Sequence, residues 1–173
     1  MISWYDHQPV AALTPNLGSA WTNVTEYTLT VTDDGTNVKM YWLLTYNSSE
    51  MERGEGTAVK ISRDGRNFLM VLSKDSGGHE SHYGFYINVD TTAPVTTYKV
   101  TPVYGTDKPD KYIKGYTVTL NASDQLSGVK ATFYRVNGGT WRKYTAPINL
   151  QPGGNTNLEY YSEDNAGNKE VHS

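Results

Sequence analysis

The chain has 173 residues, a formal net charge of -3 and an isoelectric point near 5.8, and no Lys/Arg run exceeds two adjacent residues. That excludes the concentrated basic footprint a nucleic-acid partner needs, and no apolar run approaches the roughly 20 residues required to embed a helix in a bilayer. Cysteine is absent, so disulfides, thiolate metal sites and cysteine nucleophiles are excluded. The 14 tyrosines, with frequent Thr and Val, suit half-buried pleated surfaces, while Asn, Gly and Asp supply turns. The expected class is all-β.

The first segment, Met1-Ile2-Ser3-Trp4-Tyr5-Asp6, has neither the basic start nor the apolar stretch of a signal peptide. Strand periodicity begins at Glu26–Thr32, with Tyr27, Leu29 and Val31 on one face, and ends at Asp33-Asp34-Gly35. Val38–Leu44, Thr57–Ile61 and Phe68–Leu72 are further expected strands. Lys74-Asp75-Ser76-Gly77-Gly78 turns the chain into Tyr83–Val89. Asp90-Thr91-Thr92-Ala93-Pro94 follows as a short, stiff linker, because proline fixes its own φ and holds the preceding residue extended.

The second half repeats the order. Tyr116–Ala122 alternates with Tyr116, Val118, Leu120 and Ala122 on one face, then Asp124–Gly128 turns. Val129–Val136 is the next strand, Asn137-Gly138 a strong hairpin signal, and Trp141–Tyr144 its short return. Pro147–Leu150 and Leu158–Ser162 complete the set, closed by Asp164-Asn165-Ala166-Gly167-Asn168. A weak repeat of about 90 residues, with short strands and regular turns, fits two sandwiches. The expected architecture is two tandem immunoglobulin-like β-sandwich domains arranged end to end, over residues 1–89 and 90–173. The first carries an N-terminal extension. The second has only Lys169–Ser173 where the first has Tyr83–Val89, so its last strand is expected to be truncated and one sheet edge exposed. Both features fit a piece cut from a longer chain.

Val89-Asp90-Thr91-Thr92-Ala93-Pro94 resembles the boundary of tandem Ig-like repeats in bacterial and archaeal secreted and cell-surface proteins. The resemblance extends through Ala122-Ser123-Asp124, Ser127-Gly128-Val129, Tyr134–Gly139 with Trp141, and Leu158–Asn168. It is good over residues 90–170, looser over 20–89, and absent from the first 20. It implies an extracellular stalk or adhesin-like setting and no particular ligand.

In an Ig-like fold the loop after the second strand and the loop before the last share one end, where the linker also enters. Asp90, Asp124 and Asp164 are therefore a candidate Ca²⁺ set, since that hard cation takes about 6–8 oxygen ligands. The alternative is that each Asp closes its own turn. Asp34 and Asp75 are the equivalent pair in the first domain. His79-Glu80-Ser81-His82 lacks the spacing of a zinc helix and reads as loop. Trp42 and Trp141 are expected in the cores, whereas Trp4 and Tyr5 lie outside the clear repeats and are candidate ligand-binding aromatics. No nucleophile elbow, phosphate loop or dinucleotide fingerprint is present. The reading is a non-catalytic spacer, adhesion or interaction module at the cell surface, with a protein or surface glycan as partner. The alternative is a carbohydrate-binding module of a secreted hydrolase or cell-envelope protein.

Overall fold

The computed structural model describes residues 8–33, 37–46, 49–106 and 112–171. The chain is all-β and divides into two compact units, Met1–Thr91 and Thr92–Ser173.

In the first unit, β1 (Val10–Thr14), β3 (Glu26–Thr32) and β6 (Ala58–Lys60) form one sheet in the order β1-β3-β6. The other runs β2-β8-β7-β4-β5, from β2 (Trp21–Thr22), β4 (Lys39–Tyr46), β5 (Glu50–Glu55), β7 (Gly65–Lys74) and β8 (Glu80–Val89). Period-two alternation decides which residues meet. Ala11 and Leu13 on β1 pair with Val31 and Leu29 on β3, and on β7 Asn67, Leu69, Val71 and Ser73 turn inward together. Tyr27, Leu29 and Val59 from one sheet and Leu44, Leu69, Val71, Ile87 and Val89 from the other build a single core, which makes the unit a sandwich. Each such side chain contributes about 1.5–3 kcal/mol when removed from water. Trp42 packs against this core as expected, over Gly54, the residue directly opposite it on β5.

Among the described residues the second unit has the same plan with fewer strands. One sheet runs β13-β10-β9, from β9 (Val95–Gly105), β10 (Tyr112–Ser123) and β13 (Ile148–Leu150). The other runs β12-β11-β14, from β11 (Val129–Val136), β12 (Arg142–Lys143) and β14 (Leu158–Asp164). Asn137 and Gly138 have φ of 50° and 68°, the left-handed pair that a tight hairpin turn requires. The buried core is Val118, Leu120 and Ile148, with Tyr134, Tyr144, Leu150, Leu158 and Tyr160 packed around it. Among the described residues β14 is paired along its whole length with β11 alone. On the other side, residues 168–170 begin a seventh strand, through a Glu163–Lys169 bridge and a hydrogen bond from Glu170 N to Ser162 O (3.0 Å).

Trp141 is a correction. It lies off the core, because Phe133 and Tyr161 are opposite one another on the face away from Tyr134 and Tyr160, and Trp141 packs edge-on against Tyr161 at 4.8 Å. A bulge between Val129 and Ala131 shifts the phase of β11, so alternation read from Val129 does not fix which face turns inward.

Candidate metal centre and aromatic face

Two turns of the second unit carry the acidic candidates. Asp124 follows β10, and its Oδ1 accepts the amides of Leu126 (3.2 Å) and Gly128 (2.7 Å). Gly128 takes φ of 80°, a conformation glycine enters without steric cost. Asp164 ends β14. Its Oδ1 accepts the amides of Ala166 (2.9 Å) and Asn168 (2.8 Å), and its Oδ2 accepts Asn168 Nδ2 (2.7 Å). Asn165 knits the turns together: its side-chain amide donates to the carbonyls of Ser127 (2.8 Å) and Gly128 (3.0 Å), and its backbone amide also donates to Gly128.

This stitching brings the carboxylates of Asp124 and Asp164 together, with an oxygen of each within 4.8 Å of the other. Asp164 is fully buried and Asp124 half-buried. Two full negative charges at that separation repel by roughly 3 kcal/mol at an effective dielectric of about 20. The amides aimed at them offset part of that cost. Chemically, the pair offers hard, preoriented oxygens on neighbouring rigid turns.

Asp90, the third expected carboxylate, belongs to the first unit. It is buried directly after β8, where its amide donates to Thr22 O (2.9 Å). Thr91 is fastened to that same unit, its amide and hydroxyl both donating to Asp64 (3.0 and 2.8 Å). Thr92 opens the second unit, and its carbonyl accepts Asn168 Nδ2 at 3.5 Å. Asp90 is thus two residues from a chain position held by the same asparagine that binds Asp164.

In the first unit Asp34 lies outside the described residues, as do Trp4 and Tyr5. Asp75 is occupied locally: its carboxylate accepts the amide of His79 (2.9 Å) and meets the His79 ring at 2.8 Å. Burial pushes the Asp75 carboxyl up, but the hydrogen bonds and charge of His79, with the Gly77 amide, outweigh it and hold the group below its ordinary range.

The outer face of the β12-β11-β14 sheet carries the second candidate. Phe133 and Tyr161 stack at 5.2 Å with 21° between their planes, and Trp141 meets Tyr161 at 78°. The Arg135 guanidinium lies 4.8 Å from the centre of the Trp141 ring and is held by two hydrogen bonds to Glu159 (2.8 and 2.6 Å). Alternation along β11 sets Phe133 and Arg135 on one face from the sequence alone; that Tyr161 and Trp141 share it depends on cross-strand pairing, which alternation within one strand does not show.

No protein-family model matches the chain, and no curated protein matches it. Among solved structures, the chain is similar to fibronectin(III)-like modules of Clostridium thermocellum CbhA, with 13% identity and a TM-score of 0.49, over 95% of this chain and 90% of that one.

Proposed function

We propose that the chain is a non-catalytic Ig-like module of a secreted or cell-surface protein, which spaces and binds, and whose acidic turns take Ca²⁺. The observation that carries this reading is the close approach of the Asp124 and Asp164 carboxylates on two turns sewn together by Asn165. Asp90, the third carboxylate expected from the sequence, belongs to the first unit. The short joint supports a spacing role, because Thr91 and Thr92 are each hydrogen-bonded within their own unit. The amides already committed to Asp124 and Asp164 support a structural use of these groups over general acid–base work.

The test is thermal unfolding in millimolar Ca²⁺ against EDTA. An ion that binds only the folded state raises the midpoint by linkage. A rise that Asp124→Asn removes supports the site; equal midpoints return these aspartates to turn chemistry alone.

The aromatic face favours a second reading, carbohydrate binding, because the stacked Phe133–Tyr161 pair beside a fixed Arg135–Glu159 pair combines an apolar surface with oriented polar groups. A glycan screen in which Trp141→Ala abolishes a positive signal supports it; the absence of any binder removes it.

A further inference from the structure

The outer face of the five-stranded sheet in the first unit is apolar. Phe68, Leu69, Met70, Val71 and Leu72 follow one another without a polar residue, so β7 presents apolar side chains on both faces. Leu69 and Val71 fill the core. Phe68, Met70 and Leu72 turn the other way, opposite Tyr86 on β8 and opposite Leu43 and Tyr41 on β4. An antiparallel sheet with one face in water ordinarily carries polar residues at such positions. Here Tyr86 is 66% exposed and Met70 45%.

At one end of this face two cross-strand rows enclose an open cleft of about 630 Å³. One row is Thr45, Phe68 and Tyr86, opposite one another on β4, β7 and β8. The other is Arg66, Asn88 and Trp21, on β7, β8 and β2. The Phe68 and Tyr86 rings meet at 4.9 Å with 53° between their planes. Phe68 lies over Gly84, in the space a Cβ there would take, and Gly84 is opposite Met70, so the ring leans away from Arg66. The polar groups are set for a ligand. Asn88 Nδ2 donates to Ser19 O (2.7 Å), which fixes the amide and leaves its Oδ1 to accept. The Thr45 hydroxyl donates to Phe68 O (3.3 Å) and keeps its lone pairs. Arg66 is exposed, and among the described residues no carboxylate pairs with it.

We propose that this cleft binds the carboxylated sugar of an acidic glycan. A guanidinium without a protein partner offers a carboxylate two parallel N–H donors. Tyr86 and Trp21 supply ring surface for the C–H face of a sugar, and Asn88 and Thr45 supply acceptors for its hydroxyls. The size of the cleft lies within the roughly 300–1,000 Å³ of small-molecule sites. An extended peptide would draw its affinity from an open strand edge. Beneath this cleft β7 is paired with β4 and β8, and β8 with β7 and β2, so recognition falls to side chains. The cleft belongs wholly to the first unit, and it stands or falls without the Asp124–Asp164 pair or the Phe133–Tyr161 face.

The probe is a galacturonate trimer, titrated into the whole chain up to millimolar concentration. The neutral galactose trimer and a hexaglutamate peptide are the controls. Backbone amide resonances and the Trp21 indole resonance read binding. The expected result is saturable shifts at Arg66, Tyr86, Asn88 and the Trp21 indole, with both controls weaker by about tenfold or more and the affinity falling as salt is raised. Arg66→Gln removes an exposed side chain without a carboxylate partner, so it should keep the unfolding midpoint and weaken binding about tenfold, the loss of one charge-assisted contact. Tyr86→Ala, at another exposed position, should weaken binding about as much through lost ring surface, whereas Trp141→Ala should leave the affinity unchanged. Four outcomes overturn the proposal: no saturable shift at the highest concentration, equal binding of either control, full affinity in both Arg66→Gln and Tyr86→Ala, or shifts confined to Trp141 and its neighbours.

Discussion

Glu170 and Thr96 are joined by two hydrogen bonds, from the Thr96 amide (2.7 Å) and from its hydroxyl (2.6 Å), and the same carboxylate accepts the Ser162 amide at 3.1 Å. One side chain of the nascent seventh strand thus clamps the first strand of one sheet to the last strand of the other. Because the apolar core of this unit is thin, the clamp carries a large share of its stability. Glu170→Ala should lower the unfolding free energy of the second unit by about 2–3 kcal/mol, the cost of leaving charge-assisted donors without their acceptor. Amide exchange at Val118 and Leu120 should accelerate, while exchange at Leu69 and Val71 in the first unit should not change. Equal acceleration in both units would refute a local clamp.

Asp124 and Asp164 separate turn chemistry from ion binding. Asp164 is fully buried and accepts three hydrogen bonds, whereas Asp124 is half-buried and accepts two. Asp164→Ala should therefore destabilise the second unit by about 3 kcal/mol even in EDTA. Asp124→Asn keeps an acceptor oxygen for its turn amides and relieves the repulsion with Asp164, so the EDTA midpoint should hold or rise while the Ca²⁺ response is lost. A calorimetric scan of both variants, with and without the ion, checks the pair. A preserved Ca²⁺ response in Asp124→Asn would place the ion elsewhere.

The strands with clean alternation were legible. Glu26–Thr32 is a strand over those very residues, and Tyr116–Ala122 lies within a longer one. Val95–Gly105, to which no element is assigned from the sequence, is the outermost strand of its sheet, a place where Pro102 is tolerated because an edge amide needs no partner. Val10–Thr14 was hidden in a segment without resemblance to anything. The acidic turns were found because fold topology places those loops at one end. Their fastening by Asn165 and Asn168 was not, since hydrogen bonds to Ser127, Gly128 and Thr92, far away in the chain, leave no periodic trace in the sequence.

Trp42 and Gly54 make a packing prediction. They oppose each other across β4 and β5, and the indole occupies the space where a Cβ on residue 54 would stand. Gly54→Ala should push the ring off the core and cost about 1–3 kcal/mol, as overpacking does. Urea unfolding of the first unit, followed by tryptophan emission, would show the loss as a lower midpoint with an unchanged slope.

The Asp75–His79 contact makes a prediction about pH. The Asp75 carboxyl is held below its ordinary range in the folded state, whereas an unfolded aspartate titrates near pH 3.9, an approximate reference value. The folded state therefore binds this proton less readily than the unfolded one, and the contact stabilises fully above the unfolded value. The contribution falls as the pH drops through 3.9 or so towards the depressed folded value, and it is gone below both. Asp75→Asn should accordingly lower the midpoint of the first unit at pH 7, and the gap from the parent chain should close as the solution is acidified below about pH 4. Thermal scans at several pH values, read at first-unit amides, would decide it. A gap that stays constant into acid would show that the Asp75 turn is held by its shape and not by its charge.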